Sequence, residues 1–166
     1  MDYFKLPYFL FPFKFHRELK SNIVKGIENQ ESGPYDDISD TDWSLDDAPY
    51  FEIFSSQFVD EVDKHFSQFN IGKWVIGKVW YQRYIKTNSH YWHKHGKSHW
   101  TCVYYVNLPV DAPGTVIKDP YTNQIIELKI KEGDIFIFPS QIFHCSPPNQ
   151  SNEEKLIISL NIDADT

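Results

Sequence analysis

The sequence predicts a mainly β domain introduced by helices, folded as a double-stranded β-helix of the jelly-roll, cupin-like kind. Three observations predict it. Apolar residues recur at helical spacing before Gly72, the runs after it are rich in β-branched and aromatic residues, and Pro, Gly, Asn and Asp punctuate those runs. Many short strands with no helix between them argue against a parallel βαβ sheet and for an antiparallel sandwich or closed roll. At 166 residues, 41% hydrophobic and 17% aromatic, the chain suffices for one domain with its own core and is too rich in large rings for disorder. The expected organisation is a single domain over 1–166. Residues 1–72 form a helical support with an acidic loop at 31–50, and residues 73–162 form the jelly-roll core.

The elements follow in order. The aromatic start from Tyr3 to Phe15 is broken by Lys5, Pro7, Pro12 and Lys14. No apolar run approaches the roughly 20 residues of a membrane span, so the expectation is a soluble chain without a signal peptide. From His16 to Asn29, Leu19, Ile23 and Ile27 recur every four residues before Gly33-Pro34, the pattern of a short amphipathic helix. A second stripe, Phe54, Phe58, Val62, Phe66 and Phe69, ends at Asn70-Ile71-Gly72 and predicts a helix packed on a sheet. The expected strands are then Lys73–Ile85, Tyr91–His95, Trp100–Asn107, Thr115–Lys118, Gln124–Ile130, Asp134–Phe138, Ile142–His144 and Lys155–Ile162. Leu108-Pro109, Pro113-Gly114, Asp119-Pro120, Glu132-Gly133 and Pro147-Pro148-Asn149 supply the breaks.

The net charge of −7 comes from one segment, Glu31 to Asp47, which carries acids and no Lys or Arg. It reads as a solvated loop. Elsewhere acids and bases balance, which leaves no cationic footprint for nucleic acid. Cys102 and Cys145 lack the CxxC spacing of a redox or zinc motif, so they read as core-filling thiols in a reduced, cytoplasmic setting.

Four of the seven histidines, His90, His93, His95 and His99, crowd one short segment, and His144 stands far downstream. Residues two apart in a strand share a face, so His93 and His95 could present imidazoles side by side with His144 closing the set. His90 is out of phase with that pair. By itself this spacing fits a hydrogen-bonding surface cluster as well as a metal site.

Two further segments add context: Thr101-Cys102-Val103-Tyr104-Tyr105-Val106-Asn107, and Glu132-Gly133-Asp134-Ile135-Phe136-Ile137-Phe138-Pro139-Ser140 ahead of His144. With the His-x-His element and a basic residue past the distal histidine, residues 73–162 resemble the iron(II)- and 2-oxoglutarate-dependent dioxygenases, in particular the prolyl-hydroxylase-like branch. The resemblance implies Fe(II) held by His93, His95 and His144. His95 stands where most members have Asp or Glu, so the implied centre keeps the full +2 charge of the ion. The resemblance further implies that Lys155, where members more often have Arg, pairs with the far carboxylate of 2-oxoglutarate, and that Tyr84 and Tyr105 line that pocket and donate to the same carboxylate. Dioxygen is the implied oxidant and ascorbate an accessory reductant. The implied reaction is hydroxylation of a small molecule or a peptidyl residue such as proline, with release of succinate and carbon dioxide.

Burial of a dianion requires a fixed cation and hydroxyl donors, which Lys155 and the tyrosines can supply. Trp80, Tyr104, Phe136 and Phe138 are candidates to keep water from the centre, Asp134 reads as a turn residue, and Arg83 is expected to pair with an acid on the outer face. Residues 31–50 and 87–100 are the expected lid segments. Two rivals stand beside this reading: a cupin-like three-histidine metalloenzyme that does not use 2-oxoglutarate, and a non-catalytic jelly-roll binding or structural module.

Overall fold

The computed structural model describes residues 6–164, so Tyr3 and Lys5 of the aromatic start lie outside the described residues. In chain order the elements are β1 (Phe9–Pro12), α1 (His16–Glu28), β2 (Gly33–Tyr35), β3 (Ile38–Thr41), a 3-10 turn (Pro49–Ile53), α2 (Ser55–Ser67), β4 (Trp74–Tyr84) and β5 (His90–His93). They continue with β6 (Trp100–Asn107), β7 (Val116–Lys118), β8 (Ile125–Glu127), β9 (Asp134–Pro139), β10 (His144–Ser146) and β11 (Lys155–Ala164). A seven-stranded sheet runs β1-β9-β6-β11-β4-β3-β2 and a four-stranded sheet runs β5-β10-β7-β8. All pairings are antiparallel. This is the mainly β architecture with two leading helices that the punctuation of the sequence predicted.

The middle of the large sheet, β9, β6 and β11, is buried on both faces, and strand alternation divides its side chains between two cores. In β11, Leu156, Ile158, Leu160 and Ile162 join the core beneath the helices, while Ile157 joins the core inside the roll. In β6, Cys102, Tyr104 and Val106 face the helices, whereas Val103 and Tyr105 face the interior. The α2 stripe of Phe58, Val62 and Phe66, each fully buried, packs on the first of these cores with Phe54, Ile23 and Ile27. Burying such a ring is worth about 1.5–3 kcal/mol, which makes this layer the anchor of the sheet.

Several expectations are corrected. Phe9–Pro12 is a strand, paired with β9 from Phe9↔Ile137 to Pro12↔Asp134. It covers a sheet edge, where Pro12 is tolerated because an edge residue has no obligatory donor. The acidic segment holds the β2–β3 hairpin, closed by Asp36 at φ +50°, a conformation that Asp adopts more readily than most residues. Strand β5 stops at His93, so His95 lies in the loop beyond it and not on the same strand face; its N–H donates to the Ser140 carbonyl at 2.9 Å. Strand β8 is shorter than expected, and β10 starts at His144 where the expected strand ended. Tyr104 faces the helices, its hydroxyl 2.8 Å from His16 Nδ1, and so cannot shield the interior. No helix among the described residues is long and apolar enough to cross a membrane.

Candidate metal centre and its cleft

The β10–β5 register sets His144 opposite His93. Antiparallel partners on one sheet face stand close enough for their side chains to meet, and the two rings lie 4.2 Å apart between centroids. The loop after β5 brings His95 to 5.3 Å from His93 and 5.2 Å from His144 by the same measure. One ring nitrogen from each histidine lies within 4.8 Å of the others. The structure therefore brings His93, His95 and His144 together.

Hydrogen bonds decide which nitrogens converge. His93 Nδ1 is 2.7 Å from the Tyr91 carbonyl and His144 Nδ1 is 2.9 Å from the Ile142 carbonyl. His95 Nδ1 is 2.7 Å from Asn161 Oδ1. A carbonyl only accepts, so each Nδ1 carries the proton and each Nε2 keeps its lone pair. Imidazoles that bind metals are usually oriented in this way. Burial lowers the pKa of His93 and His95 and takes His144 well below its ordinary value, so the rings are held neutral. Phe138 sits edge-on to His144 at 4.8 Å and Trp80 lies 5.7 Å from His95, closing the centre on its apolar side.

A narrow cleft runs inward from the histidines, lined among others by Gln82, Tyr84, His90, Thr101, Thr115 and Ser146. Lys155 lies behind it. Its side chain is 0% exposed, and Nζ donates to the Pro113 carbonyl at 2.7 Å and to Ser146 Oγ at 2.8 Å. Nζ also lies 5.2 Å from the centre of the Tyr84 ring. No carboxylate pairs with it among the described residues, and burial brings its pKa down to about 7. The Tyr84 hydroxyl lies beside that of Ser146 without closing a well-formed hydrogen bond, so it is a buried polar atom with no partner among the described residues. Tyr105 differs. Its hydroxyl donates to Thr115 Oγ1 at 2.7 Å and accepts from the Thr115 N–H at 3.0 Å, which commits it to the protein.

Outside the histidines the cleft opens into a broad groove. One wall is the β2–β3 hairpin and its sequel, with Tyr35, Asp36 and Trp43; the other is Tyr91 to Lys97. These are the segments expected as lids. Arg83 points away from the cleft and pairs with Glu154 at 3.1 Å. Cys102 and Cys145 are buried thiols with raised pKa values, burial being the main cause.

Sequence reasoning left Asn161 without a role, and the structure places it as the acceptor that orients His95. Its signal was phase: Lys155, Ser159 and Asn161 are polar residues two or four apart in one phase of a strand whose opposite phase, Leu156 to Ile162, is apolar. Gln82 was missed altogether. Its Oε1 accepts from Ser159 Oγ at 3.1 Å and its Nε2 lies 3.2 Å from His90 Nδ1.

No protein-family model and no curated protein sequence matches the chain. Solved structures do. The viral collagen prolyl hydroxylase vCPH of Paramecium bursaria Chlorella virus-1, in its 2-oxoglutarate complex, superposes with a TM-score of 0.67 at 18% identity over 96% of each chain. An oxidoreductase of the 2OG-Fe(II) oxygenase family from Burkholderia pseudomallei matches with a TM-score of 0.76 at 12% identity over 94% of this chain and 84% of that one. HygX of Streptomyces hygroscopicus, with nickel, 2-oxoglutarate and hygromycin B bound, matches with a TM-score of 0.70 at 9% identity over 95% and 83%. The chain thus has the double-stranded β-helix fold of the 2-oxoglutarate/Fe(II) oxygenases.

Proposed function

We propose that this protein is a dioxygenase dependent on Fe(II) and 2-oxoglutarate, hydroxylating a substrate held in the open groove and releasing succinate and carbon dioxide. The observation that carries the proposal is the convergence of three Nε2 lone pairs at the head of a cleft backed by a buried lysine with no carboxylate partner among the described residues. Neutral imidazoles suit Fe(II), and three of them leave positions open for exogenous ligands. When bound, iron would supply the activation of dioxygen and the anchor for the 2-oxo acid end of the cosubstrate.

The chain's own residues would do the rest. Lys155 supplies the cation, and the free hydroxyl of Tyr84 the neutral donor, for the far carboxylate; a desolvated carboxylate without such partners costs several kcal/mol. Tyr105, bonded to Thr115, would support the Thr115 wall and not the carboxylate directly. Trp80, Phe136 and Phe138 exclude water around the histidines, and the groove walls hold the substrate bond near the centre. Dioxygen is the oxidant and ascorbate the accessory reductant of this reading. The similar structures include a collagen prolyl hydroxylase and a protein holding hygromycin B, so a peptidyl residue and a small molecule both remain within the substrate class.

The test is aerobic incubation with Fe(II), ascorbate and 2-oxoglutarate. Succinate should form, slowly even without substrate, and Lys155→Glu should abolish it. One observation favours a second reading: no carboxylate joins the three histidines among the described residues, and Lys155 Nζ already has two acceptors. That combination fits a three-histidine metalloenzyme indifferent to 2-oxoglutarate. Calorimetry on the Ni(II)-loaded protein separates the two, because only the dioxygenase binds 2-oxoglutarate. Retention of no transition metal would leave a non-catalytic binding roll.

A further inference from the structure

His90 is the histidine the triad leaves over, and its chemistry is opposite to that of the other three. Its ring is stacked on His93, with centroids 4.0 Å apart and planes 27° apart. It lines both the inner cleft and the outer groove. The Ser159 hydroxyl donates to Gln82 Oε1 at 3.1 Å. The amide nitrogen, at the other end, faces His90 Nδ1 at 3.2 Å and can only donate to it. With the amide in this orientation Nδ1 accepts and the ring proton sits on Nε2. Gln82 is itself 5% exposed, which makes the Ser159–Gln82–His90 relay a fixed feature of the interior. His90 Nε2 has no hydrogen-bond partner among the described residues, although the ring borders open space. The result is a neutral imidazole with a preset N–H donor beside three imidazoles that present lone pairs.

The register says what that donor serves. His90 pairs across β5 and β10 with Ser146, the residue that accepts from Lys155. Both side chains line the cleft that leads from the three histidines, so a diacid reaching toward Lys155 would lie against them. We propose that His90 is a cosubstrate-binding residue whose Nε2–H donates to an oxygen of the bound 2-oxo diacid; this rests on the function proposed above. Such a donor is preorganised, because the buried Gln82 amide already holds the ring in place before the ligand arrives.

Two measurements test this. Imidazole ¹⁵N shifts of the metal-free protein should show the proton on Nε2 in His90 and on Nδ1 in His93, His95 and His144. The opposite tautomer in His90 would overturn the proposal without any variant being made. On the Ni(II)-loaded protein, His90→Phe keeps a ring to stack on His93 but removes the donor, and His90→Gln restores an N–H. Loss of a hydrogen bond to a charged group predicts 2-oxoglutarate binding weakened at least about tenfold in His90→Phe. His90→Gln should recover a good part of it, and Ni(II) affinity should stay within about threefold in both. Unchanged 2-oxoglutarate affinity in His90→Phe, equal losses in both variants, or a loss confined to Ni(II) affinity would each sink the idea. Wild-type protein that binds Ni(II) but not 2-oxoglutarate would instead remove the dioxygenase reading, and the role of His90 with it.

Discussion

Lys155 carries a cost that its neighbours only partly offset. Its amine is fully buried, with one carbonyl and one hydroxyl as acceptors and no counter-charge among the described residues. Burial brings its pKa to about 7 from an ordinary 10.5. Between those values the unfolded chain holds more protons than the folded one, so stability should rise with pH across the window. Lys155→Met should flatten that rise in denaturant midpoints measured from pH 7 to pH 10. The same amine must be charged to hold a carboxylate. Affinity of the metal-loaded protein for 2-oxoglutarate should therefore be level just below about pH 7 and fall by up to about tenfold per unit above it, with net proton uptake on binding. Calorimetry in buffers of differing ionisation heat reads the uptake. Lys155→Arg, whose guanidinium keeps its charge, should lose the pH dependence; affinity unchanged up to pH 9 in wild type would show that the lysine never deprotonates.

The strand is the element that couples stability to chemistry, because its two faces have different jobs. Along β11 the even-numbered residues Leu156 to Ile162 anchor the helical layer, while Lys155, Ser159 and Asn161 serve the cleft or its mouth. The faces can be tested apart. Phe58 on α2 is 0% exposed and belongs to the helical side alone. Phe58→Ala should cost about 3–5 kcal/mol by urea denaturation, the usual loss for deleting a buried aromatic ring. Metal affinity of the folded variant should not change. A parallel loss of metal binding would mean that the helical layer sets the geometry of the histidines, contrary to the separation of faces described here.

At the scale of the molecule, the candidate centre joins the two sheets. His93 and His144 belong to the four-stranded sheet, while His95 is held from the seven-stranded sheet through Asn161 on β11. A ligand bound only by the folded arrangement stabilises it by mass action, about 2.7 kcal/mol at a hundred times the dissociation constant. For a chain of this size that corresponds to a rise in Tm of about 5–10 °C. Anaerobic thermal melts with Fe(II) or Ni(II), reversed by chelator, should show this rise, and His144→Ala should remove it. The same melt in both proteins would argue that the three imidazoles do not act together.

The sequence by itself determined the leading helices and most of the strands, because apolar period and turn residues are local signals, and it named the three imidazoles that the fold brings together. It even isolated the histidine pair His93 and His95, though for a reason that does not hold, since His95 sits beyond the strand end. Missed were β1, the β2–β3 hairpin and the orienting roles of Asn161 and Gln82. Each depends on a partner far along the chain: β9 for Phe9–Pro12, β4 for Ile38–Thr41, His95 for Asn161 and Ser159 for Gln82. Only the tertiary structure decided that Tyr84 keeps a free hydroxyl while that of Tyr105 is spent on Thr115. It also set an amide nitrogen against Nδ1 of His90, where His93, His95 and His144 have a carbonyl oxygen against theirs. A side chain's residue type fixes what it can donate or accept, but which of those capacities is left over for a ligand depends on what the fold has already set against it.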